Sequence, residues 1–213
     1  MSPLKANALR ILKEVNEEDF ELTDIGATIE KDPALSISLL RFINSPAVGL
    51  RNKVESINNA VAILGQDAVR RWTTVTISIS LSDDKPGEIT KLSLVRAKFA
   101  ENLAPLFGLG ALSGSLFMTG LFSLLDTILD KTMEDAIKEV AVDDNVRASL
   151  VEQSGKLYPV IEFMYAYERA DWNKVTITTI RNDINGAAVG QAFVDAMIWY
   201  HQLLGTIANE PEV

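Results

Sequence analysis

The sequence predicts an all-α protein of about ten helices, and two observations carry that prediction. Apolar residues recur three or four positions apart through most of the chain, the spacing that gathers them on one helix face. Turn-formers are scarce: 12 glycines and 7 prolines punctuate 213 residues, fewer than the usual combined share of about 12%. A hydrophobic fraction of 47% and a charged fraction of 23% are those of a globular protein, and the length suffices to bury a real core. The helices are expected to fold as one unit or as two closely packed lobes, residues 1–84 and 88–205, followed by a disordered tail at 206–213.

Each helix has its own signals. Ser2-Pro3 places a cap before a proline at the first helical position, and Leu4, Ala8, Ile11, Leu12 and Val15 continue at helical spacing. Thr23 is a candidate cap for a short second helix carrying Ile25 and Ile29. Asp32-Pro33 starts a third helix, with Leu35, Leu39, Leu40, Phe42 and Ile43 as its apolar face, and Ser45-Pro46 ends it because a residue before proline is pushed out of the α region. Ser56 caps Ile57 to Leu64, and Gly65 suits the left-handed residue after that helix. In TTVTISISLS, Val75, Ile77, Ile79 and Leu81 alternate with Thr and Ser as in a half-buried strand. No convincing partner strand exists, since Val175 to Ile180 lies among helical signals, so helix is expected there too. After the loop at Lys85-Pro86-Gly87, a helix carries Ile89, Leu92, Val95, Phe99, Leu103 and Leu106, and Gly108 and Gly110 close it.

The stretch from Leu116 to Leu129 is apolar nearly all round, which predicts one continuous helix at the centre of the domain. Thr132 with Asp135 resembles a capping box for a helix to about Val140. Asp143 or Asp144 starts another that ends near Gly155. Leu157–Arg169 and Trp172–Ile184 follow, and Asn185-Gly186 precedes a last helix to about Leu204. Phe107 to Leu125 contains no charge and reaches the length of a membrane span. Glycines at 108, 110, 114 and 120, with Asp126 following directly, favour a loop leading into a buried helix. The N-terminus mixes charges into its apolar residues and lacks the core of a signal peptide. A soluble, cytoplasmic protein is expected.

Residue chemistry removes most catalytic classes. There is no Cys and one His, His201, which excludes disulfides, thiolate zinc sites, a Cys nucleophile and any multi-histidine metal centre. A net charge of −9 repels a phosphate backbone or an anionic membrane, so neither nucleic acid nor membrane is an expected partner. GLGALSG lacks the preceding strand and following lysine of a phosphate loop. Glu17-Glu18-Asp19 and Asp83-Asp84 are charge runs of the kind found on solvated faces. Asp126 follows FSLL on an apolar helix and is expected to be partly buried, held by an arginine such as Arg71 or Arg96, or else to be the remnant of an active site. Arg70-Arg71-Trp72 could stack a base or grip a phosphate; in an acidic chain, fixing the packing between lobes is the plainer role.

Four segments together resemble the HDOD domain, a bacterial signalling relative of the HD metal-dependent phosphohydrolases. They are DPALSISLLRFINSPAVGL, SINNAVAILGQDAVRRW, RAKFAENLA and FMTGLFSLLDTIL. The first two are the most specific, a helix ending in Asn44-Ser45 and, after a short loop, another ending in Leu64-Gly65. YERADW and AMIWY further resemble the HDOD region found C-terminal to EAL domains. The resemblance covers roughly residues 5 to 205 and implies an all-helical, HD-superfamily-like fold. In metal-binding HD enzymes an adjacent His-Asp pair sits on the central helix; GLFSLLD aligns Ser123 and Leu124 with that pair, and an upstream ligand histidine aligns with Ala97. A hydroxyl, an isobutyl group and a methyl group cannot replace those ligands, and without the ion no water is activated.

The resemblance therefore implies a non-enzymatic signalling module with no cofactor, part of a cyclic-di-GMP-related protein. It would act on a protein partner or on its own N-terminal EAL domain, with homo-oligomers also open to it. The abrupt start at MSPLKANAL is expected of a segment of a longer protein. Contact positions under this reading are Asn44, Ser45, Arg70, Arg71, Trp72, Arg96 and Asp126. Two alternatives stay open: a divergent phosphohydrolase using Asp126 with a labile metal, and a nucleotide or metabolite sensor binding between lobes through Arg70, Arg71 and Arg96. If the old metal position has become ordinary core, Leu124 should be buried, and Asp126 should be held by an arginine or by backbone donors.

Overall fold

A computed structural model describes all residues except 1–2, 18–19, 46–47, 83–84, 86 and 209–213, with side chains described from residue 6 to residue 203. The expected Ser2 cap, Pro46, the Asp83-Asp84 run, Pro86 and the end of the tail lie outside the described residues. Twelve α-helices and no strand are found among the rest. They divide into two compact units. One comprises the described residues of Met1–Leu81, Glu139–Ala141 and Gln202–Val213; the other comprises those of Ser82–Lys138 and Val142–His201.

In the first unit, α1 (Pro3–Asn16), α2 (Leu22–Glu30) and α3 (Pro33–Ile43) pack on α4 (Ile57–Leu81). Leu12 and Val15, Ile25 and Ile29, and Leu39 and Ile43 are completely buried, each set repeating at helical spacing on its own helix. Asp32 caps α3 as its position predicts, accepting hydrogen bonds from the Ala34 and Leu35 amides at 3.0 and 3.1 Å. Thr23 is not a cap: α2 starts at Leu22, after Glu21, so Thr23 lies inside the helix.

The Thr/Ile segment is helical and forms the second half of α4. Thr73, Thr74 and Ser78 are buried along with Val75, Ile77 and Leu81, so both faces are covered and the alternation carries no strand information. The Ser80 hydroxyl bonds back to the Thr76 carbonyl at 3.3 Å, the route by which a helix absorbs such residues. Ser56 accepts from the Asn59 amide at 3.3 Å where α4 begins. At Gly65 the helix kinks, with φ 76° and ψ 172°.

The second unit is built on α5 (Gly87–Leu103) and α6 (Ser113–Phe122), which make the most extensive helix pairing in the chain. Short helices α7 (Leu125–Leu129), α8 (Met133–Lys138) and α9 (Asp144–Val151) follow, then α10 (Tyr158–Glu168), α11 (Trp172–Arg181) and α12 (Gly186–Ala208). Its core joins Phe99 and Leu103 of α5 to Leu116 of α6, Val160, Phe163 and Met164 of α10, and Val189 and Ala196 of α12. The Thr132 hydroxyl accepts from the Asp135 amide at 3.2 Å and donates to the Asp135 carboxylate at 3.0 Å, and Asp143 caps α9. No helix among the described residues is long and apolar enough to cross a membrane.

The continuous central helix expected over 116–129 is interrupted. Ser123 and Leu124 form a turn between α6 and α7, with Leu124 at φ −123° and ψ 17°. Ser123 donates its hydroxyl to the Gly120 carbonyl at 2.7 Å, satisfying that oxygen locally and ending the helical ladder.

Candidate functional site

Three positions singled out by the resemblance, Ala97, Ser123 and Leu124, all lie on or just after the α5–α6 pair. Ala97 is completely buried opposite Gly120, where the two backbones touch: a Cβ built at Gly120 would lie 2.7 Å from the Ala97 Cα. Arg96, the residue before Ala97, projects its guanidinium to the Ser123–Leu124 turn. Its Nη1 donates to the Ser123 Oγ at 3.2 Å, while Nε and Nη2 donate to both oxygens of Glu168 at 2.8–3.1 Å. The Arg96 and Glu168 side chains are 12% and 19% exposed, so this bidentate pair works in a partly desolvated setting. The guanidinium also lies 4.9 Å from the centre of the Tyr165 ring. Burial raises the pKa of the Tyr165 hydroxyl, against the opposing pull of Arg96 and of a hydrogen bond with Ser123.

Asp126 stands one turn further along, half-buried. The expected arginine partner is absent from it: Arg96 is committed to Glu168, and Asp126 Oδ1 accepts from the Thr127 amide at 2.8 Å and the Thr127 hydroxyl at 3.4 Å. Leu124 is half-buried rather than core, because the break in the helix turns it out of the packed face. The position therefore does not fit a divalent ion. Its hydroxyl is already engaged, its neighbours are a methyl and an isobutyl group, and a fixed guanidinium would repel a second cation. Among the described residues, no three His, Cys, Asp or Glu side chains are grouped to hold a metal.

The other predicted contact positions lie in the first unit. Asn44 is structural, with its amide donating to the Leu40 and Val54 carbonyls at 2.7 and 2.8 Å and its oxygen accepting from the Val54 amide at 2.8 Å. Ser45 Oγ is buried, with no hydrogen-bond partner among the described residues. Arg70 donates to the Glu17 carbonyl at 3.1 Å and lies over the Phe20 ring at 5.1 Å, Arg71 is half-buried, and Trp72 stacks on Phe42. Arg70 and Arg71 thus belong to one unit and Arg96 to the other.

Sequence reasoning missed Glu168 and Tyr165, although both lie within or beside YERADW. The legible signal was Tyr165 and Glu168, three positions apart on one face near the end of an otherwise apolar helix.

The chain is 29% identical over 199 residues to the cyclic di-GMP phosphodiesterase CdgJ of Vibrio cholerae, covering 93% of this chain and 46% of that protein. It is also 29% identical over 197 residues to YuxH of Bacillus subtilis, covering 91% and 47%. It therefore spans about half the length of the curated relatives it matches. The structure of the MmoQ response regulator from Methylococcus capsulatus aligns over 91% of this chain and 96% of its own, with 17% identity and a TM-score of 0.40. The HDOD domain model matches residues 1–154, which include the α3–α4 signature, the Arg96-Ala97 segment and the Ser123–Leu124 turn. The chain belongs to the HDOD domain family.

Proposed function

We propose that this chain is a non-enzymatic, cytoplasmic signalling module of a cyclic-di-GMP-related protein, working by contact with an N-terminal EAL domain or another protein partner. One arrangement carries this reading: at the ancestral metal position a guanidinium is locked to Glu168 and Ser123, where chemistry would need a cation-binding pocket. The relative named as a cyclic di-GMP phosphodiesterase supports the signalling context, and this chain spans 46% of that protein. Contact surface is available on the second unit. Helix α11 has no buried residue, and Ile177 and Ile180 on it are 57% and 76% exposed; Val194 and Ile198 form a similar pair on α12. Large apolar side chains paired in this way at the surface favour a protein partner, whereas a net charge of −9 disfavours nucleic acid.

The test is to produce the chain fused behind an EAL domain and to measure cyclic di-GMP hydrolysis and oligomeric state. The wild-type chain should alter one of them. The double variant I177E/I180E should lose the effect while its own stability stays within about 0.5 kcal/mol, as for surface substitutions. An unchanged neighbour would overturn the proposal, and so would turnover of cyclic di-GMP by the 213-residue chain alone with Mn²⁺.

A further inference from the structure

The second unit contains a cavity of about 420 Å³ beside the Arg96 network, sharing Tyr165 with it. Helix α10 supplies one wall through Tyr158, Glu162 and Tyr165, and Arg169, the residue that follows it, continues the same spacing of four, three and four. Asp126 of α7, Ser149 of α9 and Lys174 of α11 contribute to the remaining walls. The cavity thus joins residues inside the stretch matched by the family model to residues beyond it.

The polar groups of this cavity are unevenly satisfied. Lys174 and Glu162 neutralise each other at 2.6 Å. Among the described residues, Asp126 uses one carboxylate oxygen, locally on Thr127. The Arg169 guanidinium is exposed and has no carboxylate partner among the described residues. Ser149 is 2% exposed, and its Oγ has no hydrogen-bond partner among the described residues. Tyr158 is half-buried and offers a ring, whereas Tyr165 already has Arg96 against it.

We propose that this cavity binds a guanine mononucleotide. The Asp126 carboxylate matches the adjacent N1–H and N2–H donors of guanine, an edge that adenine lacks. Tyr158 offers a face for stacking the base, and Arg169 offers the fork that grips a phosphate. The volume lies toward the lower end of the range for small-ligand pockets, which suits one nucleotide. This inference is independent of the protein–protein role, since the cavity and the exposed α11 residues can be altered separately.

Isothermal titration calorimetry of the 213-residue chain with GMP, AMP, guanosine and inorganic phosphate tests it. GMP should bind one per chain, at least about tenfold tighter than AMP or phosphate, as expected for a charged hydrogen-bond pair. Asp126→Asn keeps the acceptor for the Thr127 amide and should weaken GMP about tenfold while improving AMP relative to GMP, because an asparagine amide complements adenine. Arg169→Ala, at an exposed position, should weaken GMP about tenfold and leave guanosine unchanged. A loss of stability alone would not shift the base preference in this way. Absence of GMP binding, equal affinity for GMP and AMP, or GMP binding indifferent to both substitutions would overturn the proposal.

Discussion

A Cβ added at Gly120 would collide with the Arg96 carbonyl oxygen and come within 2.6 Å of its carbon, in backbone that cannot rotate aside as a side chain would. Gly120→Ala should therefore destabilise the protein by about 2 kcal/mol or more, the upper part of the overpacking range, measured as a lower urea midpoint at constant m value. Tyr165 acts at the same scale through its proton. Burial holds its pKa above the ordinary 10.0 in the folded chain, so the folded state retains the proton at a pH where the unfolded chain releases it. That contribution is fully present below about pH 10 and is lost as pH rises through the folded value. Melting temperatures should fall as pH rises above about 10, and Tyr165→Phe should make that fall shallower. An equally steep fall in the variant would assign the alkaline loss to other groups.

Helix α4 owes its course to one residue. Gly65 adopts φ 76° and ψ 172°, a region almost closed to residues with a Cβ, yet no atom lies within 4 Å of where that Cβ would go. Gly65→Ala isolates backbone strain from steric clash and should cost about 1–3 kcal/mol in a thermal or urea melt. The break between α6 and α7 has a different origin. There the backbone turns at Ser123, whose hydroxyl satisfies Gly120 while accepting from Arg96. Because Leu124 is only half-buried, restoring His and Asp at positions 123 and 124 loses less apolar contact than a fully buried leucine would forfeit, which is about 2–5 kcal/mol. The larger penalty would come from leaving Arg96 Nη1 without the Ser123 acceptor.

At the scale of the molecule, the Arg96–Glu168 pair ties a helix inside the family-matched stretch to one beyond it. A ligand that binds only the folded state raises its stability with the logarithm of the ratio of its concentration to Kd. Millimolar Mn²⁺ should leave the melting temperature of this chain unchanged, by differential scanning fluorimetry, because the guanidinium stands where an ion would be drawn. A reproducible upward shift abolished by Asp126→Ala would instead identify a cation site.

The sequence by itself determined the helical class, the Asp32 and Thr132 caps, a cap at Asp143 or its neighbour, the positive φ of Gly65 and the family, because these rest on short-range spacing and on residue-specific backbone preferences. Only the tertiary structure decided that Glu168 rather than Asp126 receives Arg96, since the partners lie 72 positions apart and local pattern does not encode which of many carboxylates comes near. The same holds for TTVTISISLS, whose alternation reads as a strand until packing covers both faces. The interrupted central helix follows the same rule in part: its apolar composition favoured continuity, and the break sits at a serine that bonds Gly120 locally and accepts from Arg96 only once α5 lies against α6.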